Sequence, residues 1–145
     1  MSKPKRWCLA IENHLTPAEC GQNRASRYDC PVDCPFNPWS PQNYERALEI
    51  EQGLDAKMFS ALKSELIGDA ESQSAIGRLD ESDEITRQQF FVDLFYLNQD
   101  ADGQTFAQRL RKKGGLSNDE TVLLERLAQM RPALFEIHRV LNDAQ

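Results

Sequence analysis

Cys30-Pro31-Val32-Asp33-Cys34-Pro35-Phe36-Asn37-Pro38-Trp39 sets the reading of this chain. A proline follows each cysteine and fixes the backbone around the pair. The run is rich in turn formers, so regular structure is not expected in it. A loop of this kind needs something to hold it. Working outward, the two other cysteines are Cys8 and Cys20, in the pattern C-x11-C-x9-C-x3-C, and residues 35–145 contain none. Cysteines used as core filler would not cluster in this way.

Clustering points to disulfides or to a metal. The start, Met1-Ser2-Lys3-Pro4-Lys5-Arg6-Trp7, is basic but no apolar signal core follows it. A cytoplasmic, reducing setting is therefore expected, and disulfides seldom persist there. Four thiolates match the tetrahedral demand of structural zinc. We expect Cys8, Cys20, Cys30 and Cys34 to be metal ligands, with zinc as the cofactor. Cys34-Pro35 also fits the ending of some iron–sulfur motifs, so a cluster is the alternative, although such motifs usually space their cysteines more tightly. His14 lies between Cys8 and Cys20 and could replace one of them. Four cysteines already complete a shell, so a surface loop position is the preferred reading for it.

The remainder reads as helices. Thr16-Pro17-Ala18-Glu19 has the form of a capped helix start and would carry Cys20. Ser40-Pro41 opens the next helix, which Gly53 is expected to interrupt, with Asp55 capping a second piece through Met58, Phe59, Leu62 and Leu66. Residues 69–82 are small and polar and read as a loop. Ser82 or Asp83 can cap a helix running to about Asn98, whose Ile85, Phe90, Phe91, Leu94, Phe95 and Leu97 form a dense face. A helix over 104–113 ends at Gly114-Gly115. Ser117-Asn118-Asp119-Glu120 is a capping box that starts another helix, ending before Pro132. Leu134–Leu141 has partial alternation and reads as a short strand or a last helical turn. The expected fold is all-α: a small helical bundle (40–145) with an N-terminal Cys-rich metal-binding lobe (1–39) packed against it.

Composition bounds the function. The 145 residues are 40% apolar and 28% charged, a globular mix of about one domain's size. The net charge of −6 argues against nucleic-acid or anionic-membrane binding driven by charge alone. No apolar run approaches the ~18 residues a spanning helix needs. Asn98, Asp100, Asp102 and Gly103 imitate the start of a calcium loop, but Arg109 stands where the bidentate carboxylate belongs, so a plain turn is expected. Arg109, Arg111, Lys112 and Lys113 suit a helix C-terminus. Phe36 and Trp39 are read as packing the lobe onto the helices rather than as an exposed patch. His138 has no marked partner. No phosphate loop, nucleophile elbow or HExxH is present, and no pair of carboxylates stands out. A non-enzymatic module binding protein or, less favoured by charge, nucleic acid is expected. The alternatives from other classes are an iron–sulfur cluster or redox protein and an accessory domain of a larger enzyme.

Four stretches carry a resemblance: Cys30 to Glu45, Asp102-Gly103-Gln104-Thr105-Phe106-Ala107-Gln108-Arg109-Leu110, Leu116-Ser117-x-Asp119-Glu120, and Arg131-Pro132-Ala133-Leu134-Phe135-Glu136-Ile137. Together the chain resembles the N-terminal region of a group of uncharacterised bacterial proteins that often carry a SEC-C-type zinc motif elsewhere. The resemblance implies a bacterial origin and a continuation, after Arg131, into a β-containing region. The SEC-C cysteine pattern itself is absent here, so its zinc residues cannot be transferred.

Overall fold

The computed structural model describes residues 3–66 and 68–129. The chain opens with a feature that the sequence reading missed. Strands β1 (Arg6–Cys8) and β2 (Asn13–Leu15) form an antiparallel ribbon, with Trp7 opposite His14 and Cys8 opposite Asn13. Three residues per strand are too few for alternation to register as a pattern. The ribbon feeds α1 (Pro17–Asn23), whose start is the expected capping box: Thr16 Oγ1 accepts from the Glu19 N–H at 3.1 Å, and the Glu19 carboxylate accepts from the Thr16 N–H at 2.7 Å.

From Arg24 to Ser40 the chain has turns, with one isolated bridge between Arg24 and Tyr28, and Pro31, Pro35 and Pro38 account for the irregular second half. Asparagine side chains hold them. The Asn37 amide donates to the carbonyls of Pro31 (3.2 Å) and Cys30 (3.4 Å), and its oxygen accepts from the Trp39 N–H at 3.0 Å. Asn43 Nδ2 donates to the Asn37 and Pro35 carbonyls at 2.7 and 3.1 Å. Asx side chains replace the ladder partners that proline-rich backbone lacks. Ser40 does not cap the next helix through its side chain; its hydroxyl donates instead to the Asn37 carbonyl at 3.1 Å.

After a 3-10 turn at Pro41–Asn43, α2 runs unbroken from Tyr44 to Leu66. The expected break at Gly53 is corrected. Ile50, Leu54, Met58 and Leu62 are buried at four-residue spacing on both sides of it, and that continuous stripe outweighs the ~1 kcal/mol a mid-helix glycine costs. The expected loop at 69–82 is also corrected: α3 spans Ala70–Asp80. Asp69 starts it, accepting from the Glu71 N–H at 3.2 Å, and Ala, Glu, Gln, Arg and Leu are adequate helix formers even without a strong apolar stripe.

Asp83 caps α4 (Glu84–Val92), which continues through a π-helical turn at Asp93–Leu97, closed by the Asn98 N–H donating to the Asp93 carbonyl at 2.7 Å. The extra residue in that turn rotates Phe95 and Tyr96 into the core while Ile85 stays 79% exposed and Phe90 sits at the margin. The aromatic face is therefore narrower than its composition implies. Phe59, Phe91, Phe95 and Phe106 form the cluster, with centroids 4.6–5.7 Å apart along the chain of contacts. Tyr96 is buried beside Met58, donating to its sulfur at 3.4 Å. Burial, with the charges of Asp55 and Glu51, pushes its phenol up to about 12.

Helices α5 (Phe106–Lys113) and α6 (Asn118–Leu127) complete the described core, both with capping boxes, Thr105–Gln108 and Ser117–Glu120. Gly114, at φ 81°, ends α5. Leu54, Met58, Leu110 and Leu124 pack where α2, α5 and α6 meet. The described residues are thus mostly helical, with one small sheet among them. No helix among the described residues is long and apolar enough to cross a membrane. The strand or last helical turn expected at 134–141, which includes His138, lies outside the described residues, as does Met130, expected on the preceding helix.

Candidate metal centre

The four cysteines arrive from three different local structures. Cys8 ends β1, Cys20 sits in the middle of α1, and Cys30 and Cys34 stand in the proline-stiffened turns. All four nevertheless line one small cavity of about 10 Å³, closed by Arg6, Trp7, Leu15, Tyr28 and Phe36. None of the four is in a disulfide. Cys20 and Cys34 are buried and Cys8 and Cys30 partly so. Among the described residues, no group of three or more Cys, His, Asp or Glu side chains is arranged, as it stands, to hold a metal ion. The structure brings the sulfurs around a common space without gathering them into a coordination shell.

The backbone next to the cavity is unusual. Ala25 adopts φ 54°, a left-handed conformation that non-glycine residues rarely take. That conformation directs its N–H to Cys30 Sγ at 3.4 Å. Burial pushes the Cys30 thiol up; the Ala25 N–H opposes this, and any charge on Cys34, Cys8 and Cys20 reinforces it.

Arg24 ties this corner to the helices. Its Nε donates to Asp119 Oδ1 at 2.9 Å, its Nη2 to Asp119 Oδ2, and its Nη1 to the Phe36 carbonyl at 3.1 Å. Both side chains are nearly buried, at 12% and 9% exposure. The hydrogen bond to Asp119 raises the guanidinium pKa against the cost of burial, with smaller contributions from Cys20 and Cys30. Asn118, the first residue of α6, donates to the Arg24 carbonyl at 2.9 Å. Asp119 also lies in the first turn of α6, where a carboxylate meets the positive end of the helix dipole. Sequence reasoning passed over Arg24 because its partner is 95 positions away.

His14 is exposed on β2, edge-on to Trp7 at 5.1 Å, and does not line the cavity. Trp39 is half-buried under Arg126 (5.1 Å), so it packs as expected; its indole N–H has no acceptor among the described residues. Phe36 is covered on one face by the Arg6 guanidinium at 4.3 Å. The calcium-like turn is closed by protein. Asp100 accepts from the N–H groups of Asp102 and Gln104, both at 2.9 Å, and from Arg109 Nη1 at 3.0 Å. Arg109 also pairs with Glu65, and Arg111 with Glu125, so part of the basic run at the end of α5 is internally answered.

No protein-family model matches this chain, and neither the curated proteins nor the solved structures give a match.

Proposed function

We propose that Cys8, Cys20, Cys30 and Cys34 bind one zinc ion with a structural role, and that the protein is a non-enzymatic interaction module stapled by that ion. The observation that carries this is the convergence of every cysteine in the chain on one cavity from three separate local structures. The donor set fits zinc: four sulfurs, no carboxylate and no imidazole face the space. The cavity is small, with room for about one water-sized sphere, which is compatible with a single ion. The sulfurs would have to draw together around the ion to complete a shell. A closed shell of four thiolates leaves no open position for a substrate or activated water, so the ion would organise the N-terminal segment rather than catalyse. The arginines beside the site, Arg24 and Arg6, would offset the negative charge that four thiolates leave around a divalent ion.

Elemental analysis of purified protein tests this. One zinc per chain is expected, in a colourless preparation. Cys30→Ser should lose the metal. Visible absorption with bound iron would favour a cluster, and the absence of any bound metal in a folded protein would refute the proposal.

A further inference from the structure

Beside the cysteine cavity, and sharing Arg6, Trp7 and Phe36 with it, lies an open groove of about 600 Å³. Its floor is apolar, formed by Trp7, Leu9 and Phe36 with three prolines; its rim carries Lys3, Lys5 and Arg6. Trp7 is 50% exposed and Leu9 46%, an arrangement that costs solvation unless something covers it. Among the described residues, no carboxylate lies within ion-pair distance of the three rim cations, although Lys5 exerts a weak influence on Glu19. These cations stand together at the start of a chain whose net charge is −6. Arg6 and Trp7 of β1 line the groove, and β1 has β2 on one edge and no strand on the other among the described residues.

We infer that this groove docks an extended peptide segment of a partner protein, one in which acidic side chains alternate with apolar ones. Apolar side chains would enter over Trp7 and Leu9, the carboxylates would meet Lys3, Lys5 and Arg6, and the backbone would run along the free edge of β1. A single-stranded nucleic acid fits less well. Arg6 already covers one face of Phe36, Trp7 is engaged edge-on by His14, and the acidic remainder of the molecule repels a phosphate chain. The inference deepens the reading of the protein as an interaction module, and rests on it for the biological role alone; the groove's geometry stands without the ion.

The test is titration of isotope-labelled full-length protein, its metal content measured in the same samples, with three probes of equal length: a synthetic peptide alternating Glu and Leu, its Lys–Leu counterpart, and oligothymidylate. The Glu–Leu peptide should shift the amides of Lys5, Arg6, Trp7, Leu9 and Phe36, more strongly at low salt. A Lys3→Glu, Lys5→Glu double variant with unchanged metal content should bind it at least about tenfold more weakly, a change of about 1.4 kcal/mol. Equal binding of the Lys–Leu peptide, tighter binding of oligothymidylate, shifts elsewhere, or no binding of the acidic peptide would overturn the inference. So would shifts that grow with protein concentration alone, which would assign the groove to a second copy. A metal-free sample that still binds the acidic peptide would sink the zinc reading and leave the groove standing; a zinc-loaded sample that does not bind would do the reverse.

Discussion

The Glu120 carboxylate accepts from Lys57 Nζ at 2.6 Å and from the Ser117 N–H at 2.8 Å, joining α2 to the start of α6. Burial alone would raise its pKa, but the hydrogen bonds from Lys57 and Ser117 outweigh burial and hold it below the usual carboxylate range. A carboxyl whose folded pKa is depressed adds stability above the unfolded pKa, and that stability is lost as pH falls through the folded value. Glu120→Gln should therefore cost about 1–2 kcal/mol near neutral pH, moderated because Lys57 is half exposed. The gap to the wild type should close below pH ~4. Urea unfolding of both proteins across that range checks it; a gap independent of pH would show that the charge is irrelevant. Arg24 should matter more. Arg24→Ala leaves Asp119 nearly buried with only Arg46 nearby, at 3.9 Å, and should cost about 2–4 kcal/mol. Arg24→Lys should recover little of this, since a single ammonium cannot supply the forked pair of bonds. Full rescue by lysine, in thermal or urea unfolding, would mean that the fork geometry contributes nothing.

At the scale of elements, two glycines inside helices make opposite predictions. Gly77 in α3 has nothing within 4 Å of where a Cβ would stand, so Gly77→Ala should stabilise by about 0.5–1 kcal/mol. At Gly53 in α2 a Cβ would meet Glu120 Oε1 at 3.2 Å. That carboxylate is pinned by its bonds to Lys57 and Ser117 and has little freedom to move aside. Gly53→Ala should therefore forfeit the propensity gain and leave stability unchanged or lower. Parallel melting curves for the two variants decide it; equal stabilisation would show that the contact at α6 is soft. The same pair explains what was legible in the sequence. Capping boxes at Thr16 and Ser117 are local chemistry and were readable as written. Gly53 reads locally as a break because the pressure that keeps α2 straight is tertiary, exerted through Leu54, Met58 and α6. Residues 69–82 were misread because a weakly apolar helix leaves little periodic trace. The cysteine cavity was half legible: clustering in sequence announced a common site, but the β1–β2 ribbon and the left-handed Ala25 that help shape it have no signature in spacing.

Across the whole molecule, two kinds of order meet at α6. The helical body buries a continuous apolar cluster that includes Leu54, Met58, Leu110 and Leu124. The segment before Ser40 buries few apolar side chains besides Leu15 and the cysteines, and relies on asparagine amides, on Arg24–Asp119 and, under the proposed function, on zinc. Removing the metal should therefore not unfold the protein uniformly. With a strong chelator, amide exchange should accelerate for Cys8, Leu15, Cys20, Cys30 and Cys34, while Leu54, Met58, Leu110 and Leu124 keep their protection. The Arg24–Asp119 clamp sets how far the damage spreads, since it is anchored in α6 on one side and beside Cys30 on the other. In the Arg24→Ala background the chelated protein should expose the start of α6 as well, seen as faster exchange at Thr121 and Val122. Hydrogen exchange read by mass spectrometry, with and without chelator in both backgrounds, resolves the two segments. Simultaneous loss of protection across α2 and α6 in the wild type would show a single cooperative unit, and unchanged exchange throughout would show that no ion holds the N-terminal segment.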